Sequence, residues 1–246
     1  NTEPIIRIYA EAPYKNQALE LIDKIKSLIW VISLSSLIDH TNLRPDALHS
    51  DIEVLCKEAI QYKFASVCIN PVYVSYAKSI LKDENPKVCS VVGFPLGADS
   101  EEMKYAEARF LIFQGVDEID MVMNIAFLKE RKLDLVKNEI KKVVEAADGN
   151  CVKVIIETSL LNQDEKALAC NIVMESGAAF VKTSTGFSSS GATLEDVRLI
   201  KKVVGNRVDI KVSGGIKTKN EALEFIEAGA SRIGTSRGVE IILWVI

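Results

Sequence analysis

The chain has 246 residues, of which 48% are hydrophobic and 26% are charged, and its formal net charge at neutral pH is -4. Because no Lys/Arg run and no long apolar run stands out, we expect no nucleic-acid partner, no membrane span and no secretion signal. The five cysteines are scattered without a C-x-x-C pair, which argues against a disulfide framework or a zinc cluster and favours the reducing cytoplasm.

The predicted elements begin with a helix over residues 15–32, KNQALELIDKIKSLIWVI, ahead of the first strand. Eight short segments rich in Val and Ile follow, in the order SLID, SVCIN, KVCSVVGF, EIDMVM, VKVIIET, FVKTS, VDIKVSGG and RIGTS. Most intervals between them have helical periodicity, as at Ile52, Leu55 and Ala59. Strands that alternate with helices in this way predict βα units around a parallel sheet.

Eight strands alternating with helices in about 250 residues predict one TIM (β/α)8 barrel domain over residues 1–246. We expect residues 1–35 to form an N-terminal extension with the additional helix, lying against the bottom of the barrel, and residues 36–246 to form the barrel itself. No Pro/Gly/Ser-rich linker divides the chain. A doubly wound open sheet is the alternative architecture.

A short internal repeat predicts which way three of the strands face. QGVDEID, SGAAFVK and AGASRIG each run from a helix-ending glycine into a strand, and the fifth residue after that glycine is Asp120, Lys182 or Gly234. Alternate strands of a barrel contribute side chains to the same layer. We therefore predict that Asp120 and Lys182 point inward at one level, near the strand ends where barrel active sites form.

Two lysines at neighbouring strand ends indicate a reactive amine. Lys182 continues a buried strand, Lys211 lies at the end of the next one, and neighbouring strands are about 4.8 Å apart. Like charges disfavour each other's protonation, and a neutral amine is what Schiff-base formation requires. We predict Lys182 as nucleophile, Lys211 as the activating cation and Asp120 as the group that moves protons or orients water. A buried ion network without a chemical role is the alternative.

Other polar residues are weaker candidates. Lys153 shares a strand face with Glu157, and either joins the same cluster or simply pairs with a carboxylate. The loops SGG and GTS follow strands seven and eight, where many barrels bind phosphate, although tight turns also use glycine. Cys68 is a candidate active-site thiol, but a buried cysteine is more often a small hydrophobic residue.

The two histidines, His40 and His49, do not have the spacing of a metal motif, and they complete no Ser-His-Asp arrangement. We therefore expect neither a metal nor a cofactor. Without a metal, attack on a carbonyl substrate is expected to proceed through an imine.

These residues lie in motifs that resemble the deoxyribose-phosphate aldolase family. The matching segments, between about Leu37 and Ile241, are LIDHTNLRP, VCINPVYV, VVGFPLGA, EIDMVMNI, KVIIETSLL, FVKTSTGF, GAT, KVSGGIKT and RIGTSRGVEI. The resemblance implies a metal-independent class I aldolase that reversibly cleaves 2-deoxy-D-ribose 5-phosphate to acetaldehyde and D-glyceraldehyde 3-phosphate. By motif, it places the Schiff-base lysine at Lys182, the second catalytic lysine at Lys211 and the proton-relay aspartate at Asp120.

The resemblance also implies a set of substrate contacts. Asp39 and Thr41 are expected near the sugar hydroxyls and Cys68 along the pocket. Lys153 is included among the predicted substrate-binding residues for its place on the strand face. The residues expected around the phosphate are Gly186, Ser213, Gly214, Gly215, Gly234, Thr235 and Ser236.

The sequence departs from its relatives at Phe187, where certain family members have a phosphate-side lysine. Two alternatives therefore stay open: a class I aldolase or transaldolase-like enzyme for another sugar phosphate, and a non-catalytic sugar-phosphate-binding barrel. The final segment EIILWVI also differs from the tyrosine-ending tail of some members, so proton transfer is expected to depend on Asp120 and water. The expected partners are sugar phosphates, aldehydes and further copies of the chain in a homodimer or homotetramer.

Overall fold

A closed barrel of eight parallel strands, arranged in chain order, forms the centre of the molecule. The computed structural model describes residues 9–22 and 34–243. The strands are β1 (Ile38–Asn42), β2 (Ser66–Ile69), β3 (Lys87–Val92), β4 (Glu118–Val122), β5 (Cys151–Ile155), β6 (Phe180–Lys182), β7 (Asp209–Ser213) and β8 (Arg232–Thr235). The TIM barrel prediction is confirmed, and the open doubly wound sheet is excluded because β1 pairs with β8.

Helices follow the strands and cover the barrel. They are α1 (His49–Tyr62), α2 (Val74–Ile80), α3 (Glu101–Phe113), α4 (Ile125–Lys129), α5 (Leu133–Ala146), α6 (Gln163–Glu175), α7 (Leu194–Val204), α8 (Lys219–Glu227) and α9 (Gly238–Leu243). Side-chain caps set several starts: the Thr193 hydroxyl accepts the Asp196 N–H at α7, and Thr218 with Glu221 forms a capping box at α8. None of the described helices has the length and apolar character needed to cross a membrane.

The predicted additional helix is present in part. Residues 15–22 are helical and mostly exposed, which confirms that section of the prediction. Residues 23–32 of the predicted helix lie outside the described residues. The division into an extension over 1–35 and a barrel over 36–246 stays a prediction, and β1 begins at Ile38.

The apolar core lies between the outer face of the strands and the helices. Val67, Ile119 and Val154 point outward from their strands and are fully buried. They belong to the same buried cluster as Ile52 of α1 and Ile140 of α5. Burying side chains of this size stabilises the fold by about 1.5–3 kcal/mol each, so the layer outside the sheet supplies most of the hydrophobic stabilisation.

The inner face of the strands is largely polar and is arranged in layers. In an eight-stranded barrel each strand is shifted by one residue relative to its neighbour. The next member of a layer is therefore found by following the residue pairing across two strands and then moving two residues toward the carboxyl end. The observed register then gives Ser66, Glu118, Phe180 and Arg232 at the amino-terminal end, Asp39, Cys89, Lys153 and Lys211 above them, Cys68, Asp120, Lys182 and Gly234 next, and Thr41, Val91, Ile155 and Ser213 nearest the carboxyl ends. Asp120 and Lys182 therefore share one level, as the internal repeat predicted.

Candidate active site

The barrel interior holds a cluster of buried charges, called here the interior cluster. Among the described residues its cations are Lys153, Lys182, Lys211 and Arg232, and its carboxylates are Asp39, Glu118 and Asp120. Isolated buried charges are costly, which explains why these groups contact one another. With every group ionised, these seven groups have one positive charge in excess, and the exposed Lys87 also pairs with Glu118 at 3.4 Å.

Asp120 lies at the centre of the interior cluster. Its Oδ2 accepts hydrogen bonds from the ammonium groups of Lys182 and Lys211 at 2.7 Å each, and its Oδ1 accepts from Lys153 at 3.0 Å. The Cys89 thiol donates to the same Oδ1 at 3.2 Å. Burial alone would raise the pKa of Asp120, but the three ammonium groups outweigh burial and hold it well below its usual value. Asp120 is therefore ionised.

Asp39 ties its own layer to the layer below it. It forms ion pairs with Lys211 Nζ at 2.5 Å and with Arg232 Nη1 at 2.6 Å. Burial opposes ionisation of Asp39, but the cations around it lower its pKa on balance. Burial would also lower the pKa of Lys211, but the carboxylates of Asp120 and Asp39 raise it instead. Lys211 is therefore a permanent cation, which is the state that its predicted role requires.

Lys153 satisfies both of the alternatives that its strand position left open. It pairs with Glu118 at 2.6 Å, and it also reaches Asp120, so it is part of the interior cluster. Burial would lower the pKa of Lys153, but Asp120 and the other acidic groups raise it well above its usual value. Lys153 thus supplies fixed positive charge beneath Lys182.

A cavity of about 700 Å³ opens above the interior cluster, at the carboxyl ends of the strands. Of the interior cluster within the described residues, Lys182 is the member that lines this cavity. Eight predicted substrate-binding residues also line it: Thr41, Gly186, Ser213, Gly214, Gly215, Gly234, Thr235 and Ser236. The structure thus brings the nucleophile candidate and the glycine-bearing loops to one cavity.

Asp39, Cys68 and Lys153 do not line that cavity, and their contact with substrate stays a prediction. Asp39 and Lys153 lie one layer deeper, with their charges bound to neighbours in the interior cluster. Cys68 is fully buried, and a hydrogen bond with the thiol of Cys89 lowers its pKa. Sequence position alone could not separate the lining residues from the layer beneath them.

Close backbone contact explains two of the glycines near the cavity. A side chain at Gly191 would place its Cβ 2.0 Å from the carbonyl oxygen of Gly214, so the loops after β6 and β7 touch there. Gly214 itself has a φ of +87°, in the left-handed region that favours glycine. Ser213 Oγ donates to the Ser184 carbonyl at 2.6 Å and adds a side-chain tie. These contacts hold the two loops together at the rim.

Several residues of the site were missed by the sequence reasoning. Glu118 and Arg232 stand two positions before Asp120 and Gly234 in the same internal repeat, so strand alternation would have placed them inside the barrel. Lys217 and Arg237 also line the cavity. Arg237 directly follows the GTS motif and Lys217 lies two residues after the SGG motif, so their positive charge was the signal available.

Phe187 lies at the rim of the cavity. It is 53% exposed, and its ring packs edge-to-face against Phe94 with the centroids 5.2 Å apart. The pair forms a small apolar wall where some relatives have a lysine. Among the described residues, Arg44, Lys182, Lys217 and Arg237 supply positive charge along the cavity for an anionic substrate.

In the described part of the chain, one group of side chains has the spacing of metal ligands. The ligand atoms of Cys68, Cys89 and Asp120 all lie within 4.8 Å of one another. A divalent cation at this position would face the ammonium groups that already occupy both oxygens of Asp120. Burial raises the pKa of the Cys89 thiol well above its usual value, so a thiolate ligand is unfavourable there. The local charges therefore do not suit a metal ion.

His40 lies on the outer face of β1, away from the interior cluster. Its Nε2 pairs with Glu58 at 2.7 Å. Burial lowers the pKa of His40, which makes the neutral ring more favourable. The pair joins β1 to α1, and both residues also line the cavity.

Comparisons with known proteins agree with this geometry. A sequence model of the DeoC/LacD family aldolases matches residues 34–242. The deoxyribose-phosphate aldolase of Caldicellulosiruptor saccharolyticus is 57% identical over 212 residues, covering 85% of this chain and 96% of that protein. The deoxyribose-phosphate aldolase of Bdellovibrio bacteriovorus is 54% identical over 211 residues, covering 86% and 96%.

Two solved structures extend the comparison to the fold. An aldolase named QR15 has a TM-score of 0.82 at 41% identity and covers 85% of this chain and 94% of its own. The deoxyribose phosphate aldolase of Aeropyrum pernix, described as a tetramer, has a TM-score of 0.82 at 31% identity and covers 94% and 97%. With the barrel and its buried lysines, these matches show that the chain belongs to the DeoC/LacD aldolase family.

Proposed function

We propose that the protein is a deoxyribose-phosphate aldolase, which reversibly cleaves 2-deoxy-D-ribose 5-phosphate through a Schiff base on Lys182. The observation that carries the proposal is the position of Lys182. Its ammonium group binds Asp120 in the interior cluster, while its side chain lines the cavity. The close relatives named for this activity support the substrate.

The excess charge of the interior cluster supports an amine nucleophile. Because the described interior holds four cations and three carboxylates, loss of one proton from the cluster balances it. Lys153 and Lys211 are held as cations by their carboxylate partners. Lys182 lies at the cavity, where a proton can leave and a carbonyl carbon can approach.

The reaction then follows imine chemistry. The Lys182 amine attacks the aldehyde carbon of the open-chain sugar, and loss of water gives a protonated imine. This imine accepts the electrons of the C2–C3 bond as the C3 hydroxyl loses its proton, which releases glyceraldehyde 3-phosphate and leaves an enamine. Protonation of the enamine carbon and hydrolysis of the imine release acetaldehyde and restore the amine.

Asp120, Lys211 and water are the proposed proton-transfer group. Because its neighbours hold the pKa of Asp120 low, this carboxylate is a weak base while all three ammonium groups bind it. A water molecule bound by Asp120 and Lys211 can therefore relay the proton of the C3 hydroxyl to the carboxylate of Asp120. This role accords with the position of Asp120 at the level of Lys182 and with that of Lys211 one layer below.

The glycine-bearing loops are proposed to bind the substrate phosphate. Gly186, Gly215 and Ser236 lie on three loops around one end of the cavity, and Lys217 and Arg237 add positive charge there. Holding the remote phosphate keeps the reacting carbons in register with Lys182. Phe187 makes this end less basic than in relatives with a lysine.

The assembly and compartment are proposed on indirect grounds. The Aeropyrum pernix relative described as tetrameric supports a homodimer or homotetramer. Free cysteines, four of the five buried, accord with a reducing cytoplasm. A single domain over the chain accords with a barrel that closes between β1 and β8.

A substrate panel tests the proposed function. We expect 2-deoxyribose 5-phosphate to give acetaldehyde and glyceraldehyde 3-phosphate in equal amounts, with a higher kcat/KM than 2-deoxyribose or fructose 6-phosphate. Preference for fructose 6-phosphate would instead support the transaldolase-like alternative. Binding without cleavage of any sugar phosphate would support the non-catalytic alternative.

A further inference from the structure

Glu157 is an unusual residue just after β5, in the motif VIIETS. It is 3% exposed. Its backbone has a φ of 50° and a ψ of 70°, in the left-handed region that non-glycine residues rarely adopt. Glycine at this position would be free of that strain, yet the sequence has a long acidic side chain.

The carboxyl group of Glu157 contacts the loop that follows Lys182. Its Oε2 accepts the N–H of Thr185 at 3.0 Å and the hydroxyl of Thr185 at 2.5 Å. The Thr185 Oγ1 in turn accepts the N–H of Phe187 at 3.1 Å. A chain of hydrogen bonds thus runs from Glu157 along most of the TSTGF segment.

Backbone contacts place the two segments side by side. The Ile156 N–H donates to the Lys182 carbonyl at 3.0 Å, and the Thr158 N–H donates to the Thr183 carbonyl at 2.9 Å. The segment that contains Glu157 therefore continues the pairing of β5 with β6 beyond the strand ends. From there the carboxyl group reaches the next part of the loop.

The other oxygen of Glu157 points to a role beyond stability. Oε1 is buried, and no hydrogen-bond partner for it is found within the described residues. A buried carboxyl oxygen without a partner is unfavourable, and so is the left-handed backbone. Two unfavourable features at one residue are typical of functional sites, where a fixed geometry matters more than stability.

We infer that Glu157 is a positioning residue for the substrate phosphate. By holding Thr185, it sets the backbone of Thr185 and Gly186, and both of these residues line the cavity. Lys182 is anchored separately, through Asp120. Loss of Glu157 therefore weakens phosphate binding and leaves imine formation intact. This inference rests on the proposed function, because it takes the TSTGF segment as part of the phosphate site.

Steady-state kinetics on two substrates test the inference. We expect Glu157→Ala to raise the KM for 2-deoxyribose 5-phosphate about tenfold or more, the order expected when two buried hydrogen bonds are lost. The kcat/KM for unphosphorylated 2-deoxyribose should change less than about twofold, since no phosphate is bound. Glu157→Gln should have a KM close to that of the wild type, because the amide oxygen of glutamine can accept both Thr185 donors.

Two further variants guard against a general loss of structure. Glu157→Gly removes the carboxyl group and relieves the left-handed strain, so it should show the same KM change with less loss of stability. Glu139→Gln is the matched control, since Glu139 is a buried carboxylate that accepts the N–H of Asn124 in a different part of the molecule. It should leave the ratio between the two substrates unchanged.

The inference would be overturned if Glu157→Ala and Glu157→Gly lowered kcat/KM equally for both substrates. An unchanged KM for 2-deoxyribose 5-phosphate in Glu157→Ala would also overturn it, and so would a KM in Glu157→Gln as high as that in Glu157→Ala. Binding of inorganic phosphate, followed by titration calorimetry, provides a readout that does not depend on catalysis. Weaker phosphate binding in Glu157→Ala supports the inference even if the wild type cleaves another sugar phosphate. Unchanged phosphate binding contradicts it, whatever the wild type cleaves.

Discussion

Two buried lysine-carboxylate groups in this molecule behave differently, and the difference separates structure from chemistry. Outside the barrel, Lys104 of α3 donates to the carbonyls of Gly97 and Val122 at 2.8 and 2.9 Å and to Glu139 at 2.8 Å. An ammonium group has three donors, so that of Lys104 is saturated. Within the described residues, by contrast, Lys182 donates to Asp120 alone.

The carboxylates of the two groups have opposite pKa shifts. Burial raises the pKa of Glu139, and the single cation Lys104 does not fully offset burial. Burial acts on Asp120 as well, but three ammonium groups outweigh it and lower the pKa. The comparison teaches that a saturated one-to-one pair holds two helices together, whereas the interior cluster has more cations than carboxylates and places one of its lysines at a cavity.

Removing one lysine from each region gives the largest expected effects. Lys182→Met should reduce aldol cleavage at least about 1,000-fold, as loss of a nucleophile does. It should change the free energy of unfolding by less than about 1 kcal/mol, because it removes the excess charge. Lys104→Met should lower the free energy of unfolding by about 3–5 kcal/mol, because Glu139 is left buried without its cation. Urea denaturation and cleavage assays measure both.

Lys57, an exposed lysine that pairs with Glu53 on α1, is the control for this comparison. Lys57→Met should alter the free energy of unfolding by less than about 0.5 kcal/mol and should leave cleavage unchanged. If Lys182→Met destabilises the protein as much as Lys104→Met does, the interior cluster is not over-charged and the distinction fails.

The second prediction concerns the cation beside the nucleophile. Lys211 remains protonated because Asp120 and Asp39 raise its pKa against the effect of burial. Its charge favours the neutral form of the neighbouring Lys182 amine. In Lys211→Leu the pH dependence of imine formation with acetaldehyde should therefore move upward by about one pH unit or more. A pH profile identical to that of the wild type contradicts the predicted role of Lys211.

The carboxylates of the two regions should contribute to stability with opposite pH dependence. The lowered pKa of Asp39 and Asp120 gives stability that is present above the ordinary carboxyl value of about 3.9 and is lost as the pH falls below it. The raised pKa of Glu139 acts in reverse, since stability falls as the pH rises from 4.5 through the folded value.

Variants at these carboxylates make the pH prediction measurable by urea unfolding at several pH values. Asp39→Asn should reduce the decrease in the free energy of unfolding below about pH 4. Glu139→Gln should remove the decrease in the free energy of unfolding just above pH 4.5. Each change should amount to about 1.4 kcal/mol per unit of pKa shift. If both substitutions change the pH dependence of the free energy of unfolding in the same direction, the two regions are electrostatically alike.

The smallest expected effect is at the rim of the cavity. Phe187 is 53% exposed, so a lysine there is largely screened by water. Phe187→Lys should lower the KM for 2-deoxyribose 5-phosphate about twofold to fivefold, and it should leave the KM for 2-deoxyribose unchanged. A similar change for both substrates would show that the residue contacts the sugar instead of the phosphate.

Sequence reasoning predicted the barrel and the meeting of Asp120 with Lys182, because strand spacing and an internal repeat determine both. It did not predict the Lys104–Glu139 pair. Lys104 lies among charged residues in EEMKYAEARF, and its burial depends on the packing of α3 against α5. The ion pairs of Asp39 with Lys211 and Arg232 were not predicted either, since a motif gives the position along a strand but not the partners of a side chain inside the barrel.

Reductive trapping tests the central claim most directly. The protein is incubated with acetaldehyde and borohydride, which convert an imine into a stable ethylated amine, and the modified residue is identified by peptide mass mapping. The account predicts a single ethyl group on Lys182, and no labelling of the interior cluster in Lys182→Met. Labelling of Lys153 or Lys211, or an unchanged protein mass, would contradict it.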